Sequence, residues 1–330
     1  MSAKLDIIIP HHREPWETGK KLFDMLELQR GIEKSDFRVI FVEDGAEDRI
    51  NFMAMNLYSF DIVVAVNTDG QGVSAARNTG IDTAEAPWVT FVDFDDMYTS
   101  VFSLKVALEA IERAEKAGKV YLWNGFTEEG YTKDGRYTLH RHEWDMTFIH
   151  GRFYKRQFLE DNELRFNEDL HFGEDQDFNT LCQIIAGPER IDEIREPIFL
   201  WCTNENSVTR RVKDKSEFYA DMLKHRFATL EELEKRGIEG EHTAGVIRIT
   251  ADSFYEMNAD VTPKNISDCE PAFAAWWKKN RMTFMTAPKG LIGQIVNTVR
   301  QSAIEKGMIE YEKITLEQWL RYLDEKDPDE

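Results

Sequence analysis

Three cysteines in 330 residues, Cys182, Cys202 and Cys269, are odd in number, far apart and without CxxC spacing. They exclude a disulfide framework and a cysteine zinc site, and read as reduced thiols. Basic residues are also scarce: 41 Lys and Arg stand against 61 Asp and Glu, a net charge of −20. That argues against a broad cationic face for nucleic-acid phosphates, though a local basic groove stays open. No apolar run approaches the ~20 residues of a membrane span, in keeping with a mean hydropathy of −0.50. Met1-Ser2-Ala3-Lys4 leads straight into a short apolar run, with no signal-peptide core or cleavage site. The expectation is a soluble, cytoplasmic protein. There is no internal repeat or low-complexity tract, and 42% hydrophobic with 12% aromatic residues excludes wholesale disorder.

What is present is a rhythm of short apolar runs and amphipathic segments. Leu5 to Ile9 is a continuous buried-strand run ended by Pro10. Pro15 suits the first turn of a helix with Leu22, Met25 and Leu26 on one face. Phe37 to Val42 is a second strand, with Ile50, Met53 and Leu57 at helical spacing after it. Asp61 to Val66 is a third, followed by a helix over Val73 to Ala84. Trp88 to Val92 is the fourth. After it, a helix carrying Leu104, Ala107, Leu108 and Ile111 opens at Thr99 or Ser100 and closes at Gly118. Strands alternating with helices predict an α/β fold, a mostly parallel sheet flanked by helices. From Lys119 the rhythm changes. Val120 to Phe126 reads as one strand, Asp134-Gly135 as a hairpin turn, Asp175 to Ile185 as a helix and Ile198 to Trp201 as a short strand. Beyond about Lys213 the pattern is helical, most clearly over Phe218 to Leu233 and Gly290 to Ile304. The expected layout is an α/β domain over 1–212 and a C-terminal α-helical appendage over 213–330.

Carboxylates gather where the strands of such a sheet end. The fourth strand runs into Asp93-Phe94-Asp95-Asp96, whose mutual repulsion a hard divalent cation such as Mg²⁺ or Mn²⁺ would relieve. The competing reading is a solvated turn capping the next helix. Strand alternation places Asp93 and Asp95 on one side and Asp96 on the other. Gly70-Gln71-Gly72-Val73-Ser74-Ala75 fits a loose dinucleotide fingerprint, with Asp93 near its acidic position. It follows the third strand rather than the first, however, and meets three acids where a ribose site wants one. The better reading is a loop leading into a helix whose Arg77 and Asn78 face the cleft. For Arg77 the plain alternative is an ion pair to a nearby carboxylate. Asp44, in Val42-Glu43-Asp44-Gly45, is a ligand acceptor at the strand ends or a turn residue. Asp175, in Gly173-Glu174-Asp175-Gln176-Asp177, is a helix cap or a general base. Arg210 and Arg211 end a polar loop and suit either a diphosphate or solvent. His11 and His12 point opposite ways on extended backbone, which argues against joint metal ligation and for lining the cleft.

Taken in order, these segments resemble the family 2 glycosyltransferases of GT-A fold. The matching series is Ile7-Ile8-Ile9-Pro10, Val42-Glu43-Asp44-Gly45, Ser74 to Gly80, Asp93-Phe94-Asp95-Asp96, Gly151 to Phe166, Phe172-Gly173-Glu174-Asp175 and Ser207-Val208-Thr209-Arg210. It runs over about residues 4–211, and His11-His12-Arg13 departs from the aliphatic residue, Tyr and Asn of many members. The resemblance implies an inverting transfer from a nucleotide-diphosphate sugar to an acceptor hydroxyl. By it, Pro10 and His11 would lie on the donor side, Asp44 would contact the nucleobase and Arg77 the nucleotide. Asp93 and Asp95, with Asp96, would place Mn²⁺ or Mg²⁺ on the diphosphate. Asp175 would take the acceptor's proton, with Glu174 the second candidate, and Arg210 or Arg211 would close over the diphosphate.

A saccharide is the expected acceptor; a hydroxylated base of phage DNA is open but disfavoured by the net charge. Two other functions compete with this reading. A nucleotidyltransferase wants a Gly-rich loop that Pro10-His11-His12-Arg13 lacks, and a catalytically silent sugar-nucleotide-binding protein would not need Asp95, Asp175 and Arg210. Residues 213–330 are expected to shape the acceptor side or an oligomer contact. Phe254, Tyr255, Trp276, Trp277, Lys278 and Lys279 would stack on and steer an acceptor, unless the tryptophans are core.

Overall fold

Strand β1 (Leu5–His11) is buried along its whole length, as its mostly apolar sequence requires of a strand covered on both faces. In the computed structural model, which describes residues 3–45, 52–67, 72–132, 134–143, 145, 148–204, 215–258, 269–306 and 314–325, it lies near the middle of a seven-stranded sheet. The strands are β2 (Phe37–Asp44), β3 (Asp61–Asn67), β4 (Trp88–Phe91), β6 (Tyr121–Asn124), β9 (Phe153–Lys155) and β10 (Ile191–Ile194). Their order is β10-β6-β9-β4-β1-β2-β3. All pairings are parallel except those of β9, which runs antiparallel to both β4 and β6. Asp6 is the polar exception inside β1. Its carboxylate accepts Arg38 Nε and Nη2 at 2.9 and 2.8 Å and the backbone N–H groups of Glu85 and Ala86 at 2.7 and 2.9 Å. A buried charge is thereby paired and fully hydrogen-bonded.

Helices α1 (Trp16–Glu27), α2 (Val73–Thr83), α3 (Ser103–Lys116), α4 (Arg156–Asp161) and α5 (Glu174–Ala186) complete this part. Gly80 lets α2 press onto β1, because a Cβ there would lie 2.3 Å from Ile8 Cγ2. Helix α3 opens at Ser103, later than the capping pattern predicts, and Gln29 Oε1, just past the end of α1, accepts the Leu104 N–H at 2.9 Å. Pro10 does not end β1; it pairs with Val42, and β2 extends to Asp44.

The single strand expected over Val120 to Phe126 is two. β6 ends at Asn124 and β7 (Phe126–Tyr131) enters a second sheet of four strands, ordered β5-β11-β7-β8, with β5 (Met97–Tyr98), β8 (Tyr137–His142) and β11 (Phe199–Trp201). The break is made by Asn124. Its amide donates to the carbonyls of Ile194 and Glu196, and its Oδ1 accepts the Ile198 N–H at 3.1 Å. Gly125 follows, where a Cβ would come within 2.6 Å of the His142 carbonyl oxygen. The hairpin at Asp134-Gly135 joins β7 to β8 as expected, with Gly135 at φ 79°.

The chain divides into two compact units, Met1–Ser207 and Val208–Glu330. The second is built from α6 (Lys215–Lys235), α7 (Glu239–Asn258), α8 (Glu270–Thr286), α9 (Lys289–Glu305) and α10 (Leu316–Glu325). Trp276 and Trp277 are core residues of this unit. Trp276 stacks on Phe227 at 4.9 Å, and Trp277 Nε1 donates to Asp324 at 2.8 Å. Phe254 and Tyr255 are buried too, so these four rings are not a surface on which an acceptor could stack. Among the described residues no helix is long and apolar enough to cross a membrane.

Candidate active site

The acidic residues after β4 do not continue the strand. Asp96 N–H donates to the Asp93 carbonyl at 3.0 Å, which closes a turn, so the alternation expected for Asp93, Asp95 and Asp96 does not apply. Asp93 and Asp96 instead converge with His150, a residue that the sequence reasoning missed. One ligand-capable atom from each of the three lies within 4.8 Å of the others. Asp95 turns to Asn204, whose Nδ2 donates to it at 2.7 Å.

Asp96 is buried, and one carboxylate oxygen accepts the Cys202 N–H at 2.8 Å. The other faces His150 Nδ1 at 3.6 Å, and neither atom has a hydrogen-bond partner among the described residues. Burial, then the neighbouring Asp93 and Asp95, push the Asp96 carboxyl well above its ordinary range. Burial likewise pushes the His150 imidazole down to about 4, against the pull of Asp93. Burial thus disfavours the charged form of each group; a divalent cation would offset the Asp96 carboxylate and take the lone pair of the neutral imidazole. The oxygen, oxygen and imidazole donors suit Mn²⁺ and also admit Mg²⁺, so the residues present fit the ion that the fold family implies.

Arg77 sits behind the acidic turn, its side chain 3% exposed. Its Nη2 donates to Asp93 at 3.0 Å, and its Nη1 to Asp175 at 2.5 Å and Glu174 at 3.2 Å. The ion-pair alternative for Arg77 is therefore the observed one, with three carboxylates on one guanidinium. Burial opposes the Arg77 charge, but Asp175, Asp93 and Glu174 outweigh it and hold the group firmly protonated. One cation cannot neutralise three anions. Burial works to raise Asp93, yet Arg77 prevails and holds it below its ordinary range. For Asp175 burial prevails over Arg77, with Glu174 and Asp93 adding to it, and the carboxyl is pushed up to about 8.

Asp175 is not a helix cap. The N-cap of α5 is Gly173, in the left-handed region at φ 79°, and no side chain caps the helix. The Asp175 carboxylate accepts the Ile149 N–H at 3.2 Å and keeps 18% of its surface open. Glu174, Asp175 and Asp177 in the first turn favour the helix dipole. Asn78 does not face the cleft. Its amide donates to the Phe166 carbonyl and to Glu168, and its Oδ1 accepts the Phe166 N–H at 2.8 Å.

On the β2 side, Asp44 is buried and already holds protein groups. Its carboxylate accepts the Gly72 N–H at 2.8 Å and Asn67 Nδ2 at 3.4 Å, pinning the start of α2 to the end of the strand. His11 does not line the cleft with a free nitrogen. Its Nδ1 lies 3.1 Å from both Glu43 oxygens, its Nε2 lies 2.7 Å from the Glu14 carbonyl, and its ring packs edge-on to Phe94. Gly70, Gln71, Arg210 and Arg211 lie outside the described residues.

Parallel strands that deliver an acidic turn, a buried arginine and a helix-borne aspartate to one cleft, with helices on both faces, define a protein of GT-A fold. Glycosyl transferase family 2 is matched over residues 6–173, and the chain belongs to that family. The chain is 28% identical over 195 residues to the uncharacterized glycosyltransferase EpsJ of Bacillus subtilis, covering 53% of this chain and 55% of that one. It is 25% identical over 211 residues to the poly(ribitol-phosphate) beta-N-acetylglucosaminyltransferase TarS of Staphylococcus aureus, covering 61% of this chain and 35% of TarS. The match thus spans about half of EpsJ and about a third of TarS. In three dimensions the chain is similar to residues 1–349 of S. aureus TarS in complex with UDP-GlcNAc, with a TM-score of 0.55 at 17% identity. That likeness covers 99% of this chain and 88% of the other.

Proposed function

We propose that the chain transfers a sugar from a nucleotide-diphosphate sugar to an acceptor hydroxyl, with inversion at the anomeric carbon. The observation that carries this reading is the pairing of two groups in one cleft. One ligand-capable atom each of Asp93, Asp96 and His150 converges on one place, and Arg77 joins Asp93 to Asp175, a carboxylate of raised proton affinity. Asp93, Asp96 and His150, with Asp95 beside them, would hold Mn²⁺ or Mg²⁺. Once bound, such an ion neutralises charge on the departing diphosphate. Asp175, deprotonated, accepts the proton of the acceptor hydroxyl, and its raised affinity for that proton favours the transfer. Glu174 shares Arg77 with it and is the second candidate base. Asp44 is assigned to the nucleoside end and Arg210 or Arg211 to the diphosphate, both on the strength of the family motifs.

UDP-GlcNAc is the first donor to test, because the similar TarS structure holds it. A saccharide hydroxyl is the favoured acceptor; the net charge of −20 works against a nucleic acid. The experiment is a panel of UDP-, GDP- and dTDP-sugars scored by nucleoside diphosphate release, with Mn²⁺, with Mg²⁺ and with chelator. One donor should turn over slowly without acceptor and faster with a saccharide, and only with metal. A panel with no turnover and no donor binding would refute the proposal.

A further inference from the structure

A row of rings leads out of the His150 cluster along the β7–β8 hairpin. Residues alternate between the two faces of a strand, and the register pairs Phe126 with His142 and Glu128 with His140 on the same face. His142 stacks on Phe126 at 4.4 Å between centroids, and His140 stands edge-on to His142 at 4.6 Å. Inward, Phe126 meets His150 at 5.2 Å, and Trp201 of β11 lies 5.4 Å from the same imidazole. The row therefore runs from exposed His140, through half-buried His142, to buried His150. The residue before His150, Ile149, donates its N–H to Asp175, so the inner end of the row adjoins the proposed base. Glu128 places a carboxylate on this face, 2.8 Å from His142 Nε2.

The hairpin is bonded to the acidic turn as well. Glu129 accepts the Thr203 N–H on its carboxylate at 2.8 Å and the Thr203 hydroxyl on its carbonyl at 2.7 Å. The residues on either side, Cys202 and Asn204, hold Asp96 and Asp95. The opposite face of the hairpin carries exposed Tyr131, Tyr137 and Leu139, which provides an internal control.

Flat rings beside a carboxylate suit a sugar, whose C–H face stacks on the rings while its hydroxyls donate to the carboxylate. Resting on the transfer reading above, we propose that this face is the acceptor platform. The reactive hydroxyl of a polyhydroxylated chain is directed to Asp175, and its following sugar units lie over His142, Trp201 and His140, with Glu128 accepting their hydroxyls. A platform of this length predicts that longer chains bind better than short ones.

The test titrates chito-, cello- and malto-oligosaccharides of two and six units into the full chain without donor, read by NMR of the imidazole and indole resonances. Shifts of His140, His142 and Trp201 with tighter binding of one six-unit chain are expected. His140→Ala or Glu128→Gln should weaken that binding about tenfold and erase the length dependence. The double change Tyr131→Ala with Tyr137→Ala should leave it as it was. No shift at these rings with any of the six saccharides, equal affinity for two and six units, or equal losses from the tyrosine pair would overturn the platform. Because the titration needs no donor, it stands or falls separately from the donor panel.

Discussion

Replacing Arg77 with methionine probes the electrostatic centre of the site. Arg77 is 3% exposed and faces Asp93, Glu174 and Asp175 at 3.0, 3.2 and 2.5 Å. Methionine keeps the stem and removes the positive charge that these three carboxylates share. Removing one partner of a buried ion pair costs about 3–5 kcal/mol. Asp93 and Asp175 keep 32% and 18% of their side chains open to solvent, which screens part of the loss and favours the lower end, about 3 kcal/mol. For a unit of roughly 200 residues, that corresponds to a Tm lower by about 6–12 °C. The cost also has a pH signature. Without Arg77, Asp93 and Asp175 gain proton affinity in the folded state, so the penalty is full where they must be ionised and shrinks as they take up protons. The assay is urea unfolding followed by tryptophan fluorescence at pH 8, 6.5 and 5, with chelator present. The gap between wild type and Arg77→Met should narrow steadily from pH 8 to pH 5, and Arg77→Lys should fall between, keeping the charge without the planar fork. A variant as stable as wild type at pH 8, or a loss of the same size at every pH, would refute the reasoning.

Asp175→Asn should retain donor affinity while transfer falls by roughly 10²–10⁴; unchanged turnover in the folded variant would reduce Asp175 to a partner of Arg77 and Ile149. Because the base works deprotonated and its carboxyl is pushed up to about 8, kcat/KM should climb with pH through that region and drop about tenfold per unit below it. A rate already flat above pH 5 would contradict the raised proton affinity. His150→Ala should weaken Mn²⁺ binding by at least about tenfold in a calorimetric titration, and an unchanged affinity would remove His150 from the metal cluster.

The parallel core was legible because strands buried on both faces read as mostly apolar runs. Leu5 to Ile9 and Phe37 to Val42 each fell within a strand of the structure. The second sheet was not legible. Asn124-Gly125 is a local breaker signal, but where the chain goes after it is set by Asn124 bonding to Ile194, Glu196 and Ile198 far along the chain. The antiparallel strand β9 is only three residues long, too short for periodicity to show. In the site, the acidic turn, Arg77 and Asp175 stood out as charged residues at the ends of apolar elements. Their division of labour did not, because it depends on which carboxylates share Arg77. His150 follows Phe148-Ile149 and reads as a core histidine until the fold brings it to Asp96. The buried pair of His11 with Glu43 was hidden for a similar reason, since adjacent parallel strands set the two in register.

The most direct test of the account is a proton NMR time course of the wild-type protein with the donor selected by the panel, a saccharide acceptor and Mg²⁺. The account predicts that the α-anomeric signal of the donor is replaced by the larger coupling of a β-linked product, together with free nucleoside diphosphate, and that chelator stops both. A product that keeps the α configuration, or a donor that stays intact with and without the ion, would contradict it.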